Sequence, residues 1–388
     1  MTGFVYIDTP AALADYCTNL RGRDWLAVDT EFIRERTYYP QLCLVQVSDG
    51  STHACIDPLC IKDLGPLLEL LYEPSILKVF HAASQDLELF YHLTGKVPGP
   101  VFDTQLAATL AGSGDQIGYA RLVQDMLGVT LDKAHTRCDW SHRPLSDAEL
   151  AYAADDVRYL CQVYEKLRTE LERRGRLDWL QADFSAMTDP ARFENLPEDA
   201  WERIGAAQKL RPAQLKVLRA LAAWREQRAR QQDRPRRWIL GDDQLLDLSR
   251  RQPKTVDDLT RLRGMPDGVV QKHGGALLSA IAEAANATAP DVLREGPRLA
   301  SNQQPLLELL QALVHAISEE QAISPAALTG RRELEKLILG ERELPVLQGW
   351  RREAAGQALL DLLEGRLAIQ IENGRVKTKA IVISNEVQ

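Results

Sequence analysis

The pattern that most constrains the fold is a change at Gly175 in this chain of 388 residues. Before Gly175, apolar segments that predict strands, such as 25–30, 43–48 and 77–80, alternate with segments of helical spacing. After it, the strand patterns disappear, and Pro and Gly divide the chain into short helical segments. Because alternating strands and helices are typical of α/β folds, the sequence predicts an α/β domain followed by all-α domains.

The breaks in these patterns also predict where the domains begin and end. The predicted units are an α/β domain at 1–175, a linker at 176–205, a helical domain at 206–286, a second helical domain at 295–372 and a tail at 373–388. In the tail, Asn373-Gly374 lies between alternating residues, which permits a β-hairpin. An irregular end is an equally good interpretation of the same segment.

Composition excludes several classes of protein. With 45% hydrophobic and 26% charged residues, the chain is an ordinary globular protein, neither collagen-like nor wholly disordered. The start carries no basic leader, and no apolar run approaches the ~18 residues of a membrane span, so we expect a cytoplasmic protein without a membrane partner. Six cysteines without a C-x-x-C pair predict reduced thiols. The sequence contains no phosphate-binding loop motif, so we expect no nucleotide cofactor.

Carboxylates recur at three places in the α/β half. Asp29 and Glu31 end an apolar segment and share one face of the predicted strand, because side chains alternate along a strand. Asp86 follows the segment 77–80, and Tyr152 and Asp156 lie one turn apart on a predicted helix that begins after Ser146. Each of these patterns alone is usually a solvated surface; their combination indicates a site.

Electrostatics shows what such a combination requires. Two ionised carboxylates ~4 Å apart repel by roughly 4 kcal/mol at an effective dielectric constant of 20. Protons can neutralise such a cluster, but oxygen donors without His or Cys suit the hard divalent cations Mg²⁺ and Mn²⁺. Two such ions roughly 4 Å apart form the site that cleaves phosphodiesters by in-line attack of water. The set therefore favours hard divalent cations as the neutralising charge, and a pair of such ions would suit phosphodiester hydrolysis.

Four segments resemble, in order and spacing, the bacterial ribonuclease D proteins of the DEDD exonuclease superfamily: VDTEFIRERTYYPQLCLVQV, KVFHAASQDLELF, VFDTQLAA and LDKAHTRCDWSHRPLSDAELAYAADDVRYL. The Tyr152-x-x-x-Asp156 form is similar to the tyrosine subclass. The resemblance implies a ribonuclease H-like domain with a mixed central sheet flanked by helices. It also implies that Asp29, Glu31, Asp86 and Asp156 bind two metal ions and that Tyr152 orients the attacking water.

The second unit is similar to HRDC domains over residues 210–281, and the last helical block would be a diverged HRDC-like domain. Between Gln208 and Trp238, ten basic residues face two acidic ones in a chain whose net charge is −8. Trp224 and Trp238 offer surfaces for unpaired bases. This run predicts RNA contact, although a solvated helix face or a protein-docking surface has the same pattern.

The resemblance implies a 3′–5′ exoribonuclease that trims tRNA precursors with 3′ extensions and releases nucleoside 5′-monophosphates. We expect a monomer whose partner is RNA. His81 is a candidate substrate contact or a tie between its strand and the next helix, and Lys133 and Arg137 are candidates for phosphate contact or for loop salt bridges. Two alternatives stay open: an exonuclease that prefers DNA, and a non-catalytic RNA-binding scaffold.

Overall fold

The amino-terminal part of the protein is built on a six-stranded mixed sheet. The computed structural model describes residues 3–132, 138–286 and 299–381. The strands are β1 Val5–Ile7, β2 Trp25–Ile33, β3 Gln41–Ser48, β4 His53–Ile56, β5 Leu77–Phe80 and β6 Val101–Asp103. They lie in the order β1-β4-β3-β2-β5-β6, with β3 antiparallel to both neighbours and the other pairs parallel. The central strand β2 therefore has a partner on each side.

Within the described residues up to position 187, seven α-helices surround or follow this sheet. They are α1 Pro10–Leu20, α2 Gly65–Leu71, α3 Ser84–Thr94, α4 Thr104–Leu110, α5 Tyr119–Leu127, α6 Asp147–Arg173 and α7 Gln181–Met187. Ser146 caps α6 as predicted, because its hydroxyl accepts from the Glu149 N–H while the Glu149 carboxylate accepts from the Ser146 N–H. The buried face of α6 packs on β2, β3 and β4. The cap and this face together fix where α6 projects its polar side chains.

A second core belongs to the helices α8 Pro212–Gln231, α9 Arg236–Ile239, α10 Asp242–Arg251, α11 Val256–Thr260 and α12 Asp267–Asn286. The predicted linker at 176–205 contains α7 and three short 3₁₀ helices, Leu177–Leu180, Pro190–Arg192 and Pro197–Arg203. The last of these 3₁₀ helices packs on α8 and contributes the buried Trp201 to its core. The amino-terminal end of this helical unit is thus covered by the connecting segment.

The third part consists of α13 Gln304–Gln321, α14 Pro325–Leu328, α15 Arg331–Ile338, α16 Gly349–Arg351 and α17 Gln357–Leu363, with a π-helical turn at Arg352–Gly356. Its buried leucines belong to the same continuous core as the sheet. Trp179 stacks on Trp350 with ring centroids 4.8 Å apart, and the Ser324 N–H donates to the Thr109 carbonyl at 2.9 Å. This part therefore packs directly on the α/β domain.

A β-hairpin follows α17. Its strands are β7 Leu367–Glu372 and β8 Arg375–Ala380, which pair antiparallel. Asn373 and Gly374 form the turn with φ values of 51° and 75°, the left-handed conformations that a two-residue turn of this kind requires. Of the two interpretations that the sequence left open, the structure has the hairpin, and the predicted boundary at 372/373 falls in its turn.

One loop residue, Tyr38, joins the α/β domain to the HRDC-like helices. Although it lies between β2 and β3, only 3% of Tyr38 is exposed, because it packs against Ala229 and Ile239. Its hydroxyl donates to Glu226, and the Asp233 carboxylate accepts from the Tyr38 N–H at 3.0 Å. The guanidinium of Arg236 lies 4.8 Å from the ring centroid. The buried tyrosine is thus a central contact between the two units, beside the Tyr39 N–H, which also donates to Asp233.

Two expectations about the whole chain concern thiols and membranes. All six cysteines are free thiols, as predicted. Within the three described stretches, no helix is both long enough and apolar enough to cross a lipid bilayer.

Candidate active site

Strand β2 and helix α6 bring three of the predicted carboxylates together. Oxygen atoms of Asp29, Glu31 and Asp156 all lie within 4.8 Å of one another. Asp29 and Glu31 face the same side of the sheet, and a register irregularity follows Glu31, where the pairing with β3 shifts. All three side chains are half-buried. The convergence predicted from the alternation of the strand and the pitch of the helix is present.

The close approach of α6 to the sheet depends on small side chains. Ala153 and Ala154 are fully buried between α6 and the strands, beside Leu44 and Cys55. The Cys55 thiol donates to the Leu150 carbonyl at 3.6 Å. With no bulky residue between them, the helix carries Asp156 onto the end of β2. Larger residues at 153 or 154 would hold the helix away from the sheet.

Burial and mutual repulsion make this cluster hard to ionise. Burial raises the pKa of Asp29 to about 6. Burial, with the charges of Asp29, Asp156 and Asp86 added, raises the pKa of Glu31 to about 9. Burial and the charge of Asp29 also raise the pKa of Asp156 well above its ordinary value. The cluster therefore favours neutralisation by protons or by a cation.

Asp86 approaches the same site from helix α3. Its carboxylate accepts a hydrogen bond from the Thr30 hydroxyl at 2.5 Å, and 7% of the residue is exposed. Among the described residues, the group of close oxygens consists of Asp29, Glu31 and Asp156, so Asp86 stands outside it. Burial and the charge of Asp29 raise the pKa of Asp86 well above its ordinary value. Asp86 is thus electrostatically coupled to the cluster without being part of its innermost group.

Tyr152 lines the cavity in which the carboxylates meet. The cavity has a volume of about 240 Å³, and Asp29, Glu31 and Asp156 also line it. The ring of Tyr152 lies 6.2 Å from that of Trp140, measured between centroids. Because Tyr152 precedes Asp156 by one helical turn, its phenol and the carboxylate lie on the same side of α6.

His81 also lines this cavity, but both of its ring nitrogens have partners within the protein. Nδ1 is 3.0 Å from the Thr104 hydroxyl and Nε2 is 3.1 Å from the Ile117 carbonyl. The histidine therefore ties the end of β5 to α4 and to the segment before α5, whereas the sequence suggested a tie to the next helix, and a substrate contact by His81 stays a prediction. Lys133 and Arg137, the other predicted substrate contacts, lie outside the described residues.

Tyr119 and Thr30 line the site and Gln46 lies opposite Asp29 on the neighbouring strand, and none of the three was predicted. The Tyr119 hydroxyl donates to the backbone carbonyl of Asp156, and its ring lines the cavity. Gln46 is fully buried directly opposite Asp29 in the β2–β3 pairing, and neither atom of its amide has a hydrogen-bond partner. Sequence offers no local pattern for these contacts, because each depends on elements that pack together only in the fold.

The basic run in the helical unit is only partly available to a ligand. Arg225 is buried and pairs with Asp242 at 2.6 Å, while Arg230 and Arg236 turn inward to Tyr38. Trp224 is half-buried, but 59% of Trp238 is exposed. RNA contact by this run stays a prediction, and it concerns the outward-facing residues, because Arg230 and Arg236 bond to Tyr38 between the units and Arg225 pairs within the helical unit.

The donor set fits divalent cations. Three carboxylates supply oxygen ligands that Mg²⁺ and Mn²⁺ prefer, and their spacing permits several of them to bind one ion. A bound cation would also remove the repulsion that raises the pKa values of these groups. The residues present thus match the metals expected from the sequence.

Comparison with known proteins gives the same picture for most of the chain. Residues 4–172 match the family described as 3′–5′ exonuclease, and residues 214–281 match the HRDC domain. The chain is 44% identical over 382 residues to a ribonuclease D from Gluconacetobacter diazotrophicus, covering 96% of each protein. It is 42% identical over 368 residues to a ribonuclease D from Pseudomonas paraeruginosa, covering 92% of this chain and 97% of the relative.

A solved structure extends the similarity to three dimensions. The crystal structure of Escherichia coli RNase D, described as an exoribonuclease involved in structured RNA processing, superposes with a TM-score of 0.80 at 35% identity. The match covers 93% of this chain and 99% of the other. These matches confirm the predicted fold class of an exonuclease domain with a mixed sheet followed by a helical HRDC domain.

Proposed function

The chain belongs to the ribonuclease D family and is a 3′–5′ exoribonuclease. We propose that it trims the 3′ ends of structured RNA precursors such as tRNA in a metal-dependent reaction. The observation that carries the metal dependence is the convergence of Asp29, Glu31 and Asp156. The similarity to an enzyme of structured RNA processing supports the substrate class. The product is a nucleoside 5′-monophosphate, released stepwise.

Separate residues of this chain would hold the metal ions and position the attacking water. Asp29, Glu31 and Asp156 would hold one divalent ion, and Asp29 with Asp86, through water, would hold a second. When bound, the ions supply Lewis acidity toward the phosphate and lower the pKa of the attacking water. Tyr152 positions that water by a hydrogen bond from its phenol, a role that fits its place in the cavity. Thr30 orients the Asp86 carboxylate.

The aromatic and histidine side chains shape the rest of the cavity. Tyr119 holds the backbone of Asp156 through its hydroxyl, and its ring lies 5.3 Å from that of His81. Because the histidine nitrogens are already bonded, we assign His81 a role in shaping the site, and a substrate contact would use the edge of its ring. Lys133 and Arg137 stay proposed phosphate contacts.

The decisive experiment is single-turnover digestion of a uniformly labelled tRNA transcript with a short unpaired 3′ extension. In Mg²⁺, wild-type protein should release nucleoside 5′-monophosphates, and Asp29→Asn should lower the rate by about 10³-fold or more, since a metal ligand is lost. Asp155→Asn is the matched control, because Asp155 neighbours the predicted ligand Asp156 on α6 but pairs with Arg158 at 2.6 Å. Wild-type rates in Asp29→Asn would overturn the mechanism.

Matched substrates test the alternatives to this proposal. Because metal ions do not distinguish ribose from deoxyribose, only contacts to the 2′-hydroxyl favour RNA. Single strands of RNA and DNA with the same sequence should therefore differ in kcat/KM, with RNA faster. Faster cleavage of DNA would favour the DNA exonuclease, and absence of Mg²⁺ and Mn²⁺ binding by calorimetry would favour the scaffold.

We also propose that the protein works as a monomer in the cytoplasm. Light scattering of the purified protein should give a mass near 43.5 kDa, the mass of one chain. Cell fractionation with a membrane-protein control tests the location. A stable dimer or a membrane-bound fraction would contradict these two points without touching the chemistry of the site.

A further inference from the structure

A second cavity lies where the α/β domain meets the helical unit, and arginines dominate its lining. Its volume is about 410 Å³, and four guanidiniums line it, from Arg34, Arg192, Arg203 and Arg236. They come from the end of β2, from the connecting segment and from α9. Four arginines from three parts of the chain thus face a space that could contain a phosphate group and its sugar.

The positive charge of this cavity is only half compensated. Arg34 pairs with Glu88 through two hydrogen bonds of 2.9 and 3.0 Å. Arg236 pairs with the buried Glu226, which also lies 3.8 Å from Arg203. For Arg192 the described residues provide a carbonyl partner at 3.3 Å but no carboxylate within 4 Å. Two carboxylates therefore serve four guanidiniums, which leaves a local charge of about +2.

The cavity and the carboxylate site are built partly on the same elements, β2 with the residue after it and α3. Arg34 follows Glu31 by three residues, and three residues of extended chain span about 10 Å. Ser84, which also lines the cavity, opens α3, whose first turn carries Asp86. An RNA strand whose 3′-terminal phosphodiester lies at the carboxylates must leave the site over an adjoining surface. The arginine cavity is such a surface, with the opposite charge.

Resting on the proposed function, we propose that this arginine cavity binds backbone phosphates of the RNA strand immediately 5′ of the scissile one. Guanidinium groups suit this task because they bind phosphate oxygens in a bidentate manner and stay charged at every relevant pH. Arg34 and Arg236 are held in place by their carboxylate partners. Arg192 and Arg203 are the more exposed pair and are free of strong ion pairs among the described residues.

The test is a length series of single-stranded oligoadenylates from two to eight nucleotides, cleaved in Mg²⁺. For wild-type protein kcat/KM should rise with length, since longer strands reach the cavity. The double variant Arg192→Ala/Arg203→Ala should lose about 20-fold in kcat/KM on the eight-nucleotide strand, mainly through KM, and less than threefold on the dinucleotide. The slope of log kcat/KM against log salt should become shallower by about 1.4, at ~0.7 per lost phosphate contact.

The control is Arg21→Ala/Arg331→Ala, which removes the same charge from two exposed arginines that pair with Glu69 and Glu335. Equal losses in both double variants, equal losses at every length, or a wild-type rate independent of length would each overturn the proposal. Binding of a fluorescent eight-nucleotide strand to the Asp29→Asn protein, measured by anisotropy, separates this proposal from the function itself. If binding depends on the arginines but wild-type protein releases no mononucleotide, the proposed mechanism is refuted, whereas the proposal that the cavity binds phosphates is not.

Discussion

Replacing Glu31 by glutamine should stabilise the metal-free protein while it abolishes metal-dependent activity. Glu31 is crowded by Asp29 and Asp156, and its pKa is raised to about 9 from an ordinary 4.5 by burial and by their charges. Glutamine has nearly the same shape but cannot ionise. The substitution therefore removes the cost of keeping an acid in this place and also removes a ligand.

The size of the effect follows from the shift. Between pH 4.5 and pH 9 the folded protein must retain a proton that the unfolded chain has released, which costs about 1.4 kcal/mol for each pH unit above 4.5. At pH 7 the cost is roughly 3 kcal/mol, and sharing of protons among the carboxylates reduces it, so we expect a gain of about 2 kcal/mol. The gain should vanish below pH 4.5 and grow until about pH 9.

Urea unfolding in EDTA measures this gain, with Glu35→Gln as the control because Glu35 is exposed four residues further on. Addition of Mg²⁺ should stabilise wild-type protein and leave Glu31→Gln nearly unchanged. If Glu31→Gln were no more stable than wild type in EDTA at pH 8, the carboxylates would not be crowded as described. The same result would remove the electrostatic reason for expecting a cation there.

Two further substitutions test other parts of the molecule. Gln46→Leu removes a buried amide without hydrogen-bond partners and should raise the free energy of unfolding in EDTA by about 1–2 kcal/mol. Gln41→Leu is the control, because Gln41 is exposed on the same strand and its replacement should not raise this free energy. A loss of stability in Gln46→Leu would show that the amide has a partner. Tyr38→Ala should weaken the free energy of docking of the HRDC domain by about 3 kcal/mol, because it removes a buried ring. The measurements are the rate of proteolysis near residue 205 and the radius of gyration, both of which should increase. Tyr39→Ala, at a more exposed position, should change neither.

Sequence reasoning succeeded where local periodicity decides the geometry. Strand alternation put Asp29 and Glu31 on one face, helical pitch aligned Tyr152 with Asp156, and Ser146 marked the start of α6. The sequence predicted that Asp86 lies at the site. It did not predict the hydrogen bond from Thr30, because this contact joins residues 56 apart in the chain. Local patterns carry no information about such partners.

The limits of the sequence are clearest in the carboxy-terminal helices. Their apolar faces were visible as helical spacing, and they were interpreted as a separate second domain. In the structure these faces pack on the sheet domain, so that leucines of α13 and strands of the sheet share one core. Spacing shows that a helix has a buried face but not what covers it, and the partner here lies two hundred residues away in the chain.

This shared core and the role of Tyr38 determine how the contribution of the HRDC domain to RNA binding must be measured. Because the basic run lies in the helical unit, deletion of everything after the nuclease half would seem the direct test of its contribution to RNA binding. Deletion after residue 205, however, would also remove the α13–α17 helices and expose apolar surface of the nuclease core. Loss of RNA binding in that fragment would then report misfolding. Tyr38→Ala in the full chain keeps the α13–α17 helices on the nuclease core and weakens the docking of the helical unit, which carries Arg203 and the arginines of α8 and α9. If RNA affinity at low salt falls in Tyr38→Ala but not in Tyr39→Ala, the docked HRDC domain contributes to the binding path; equal affinities would place all phosphate contacts on the nuclease side.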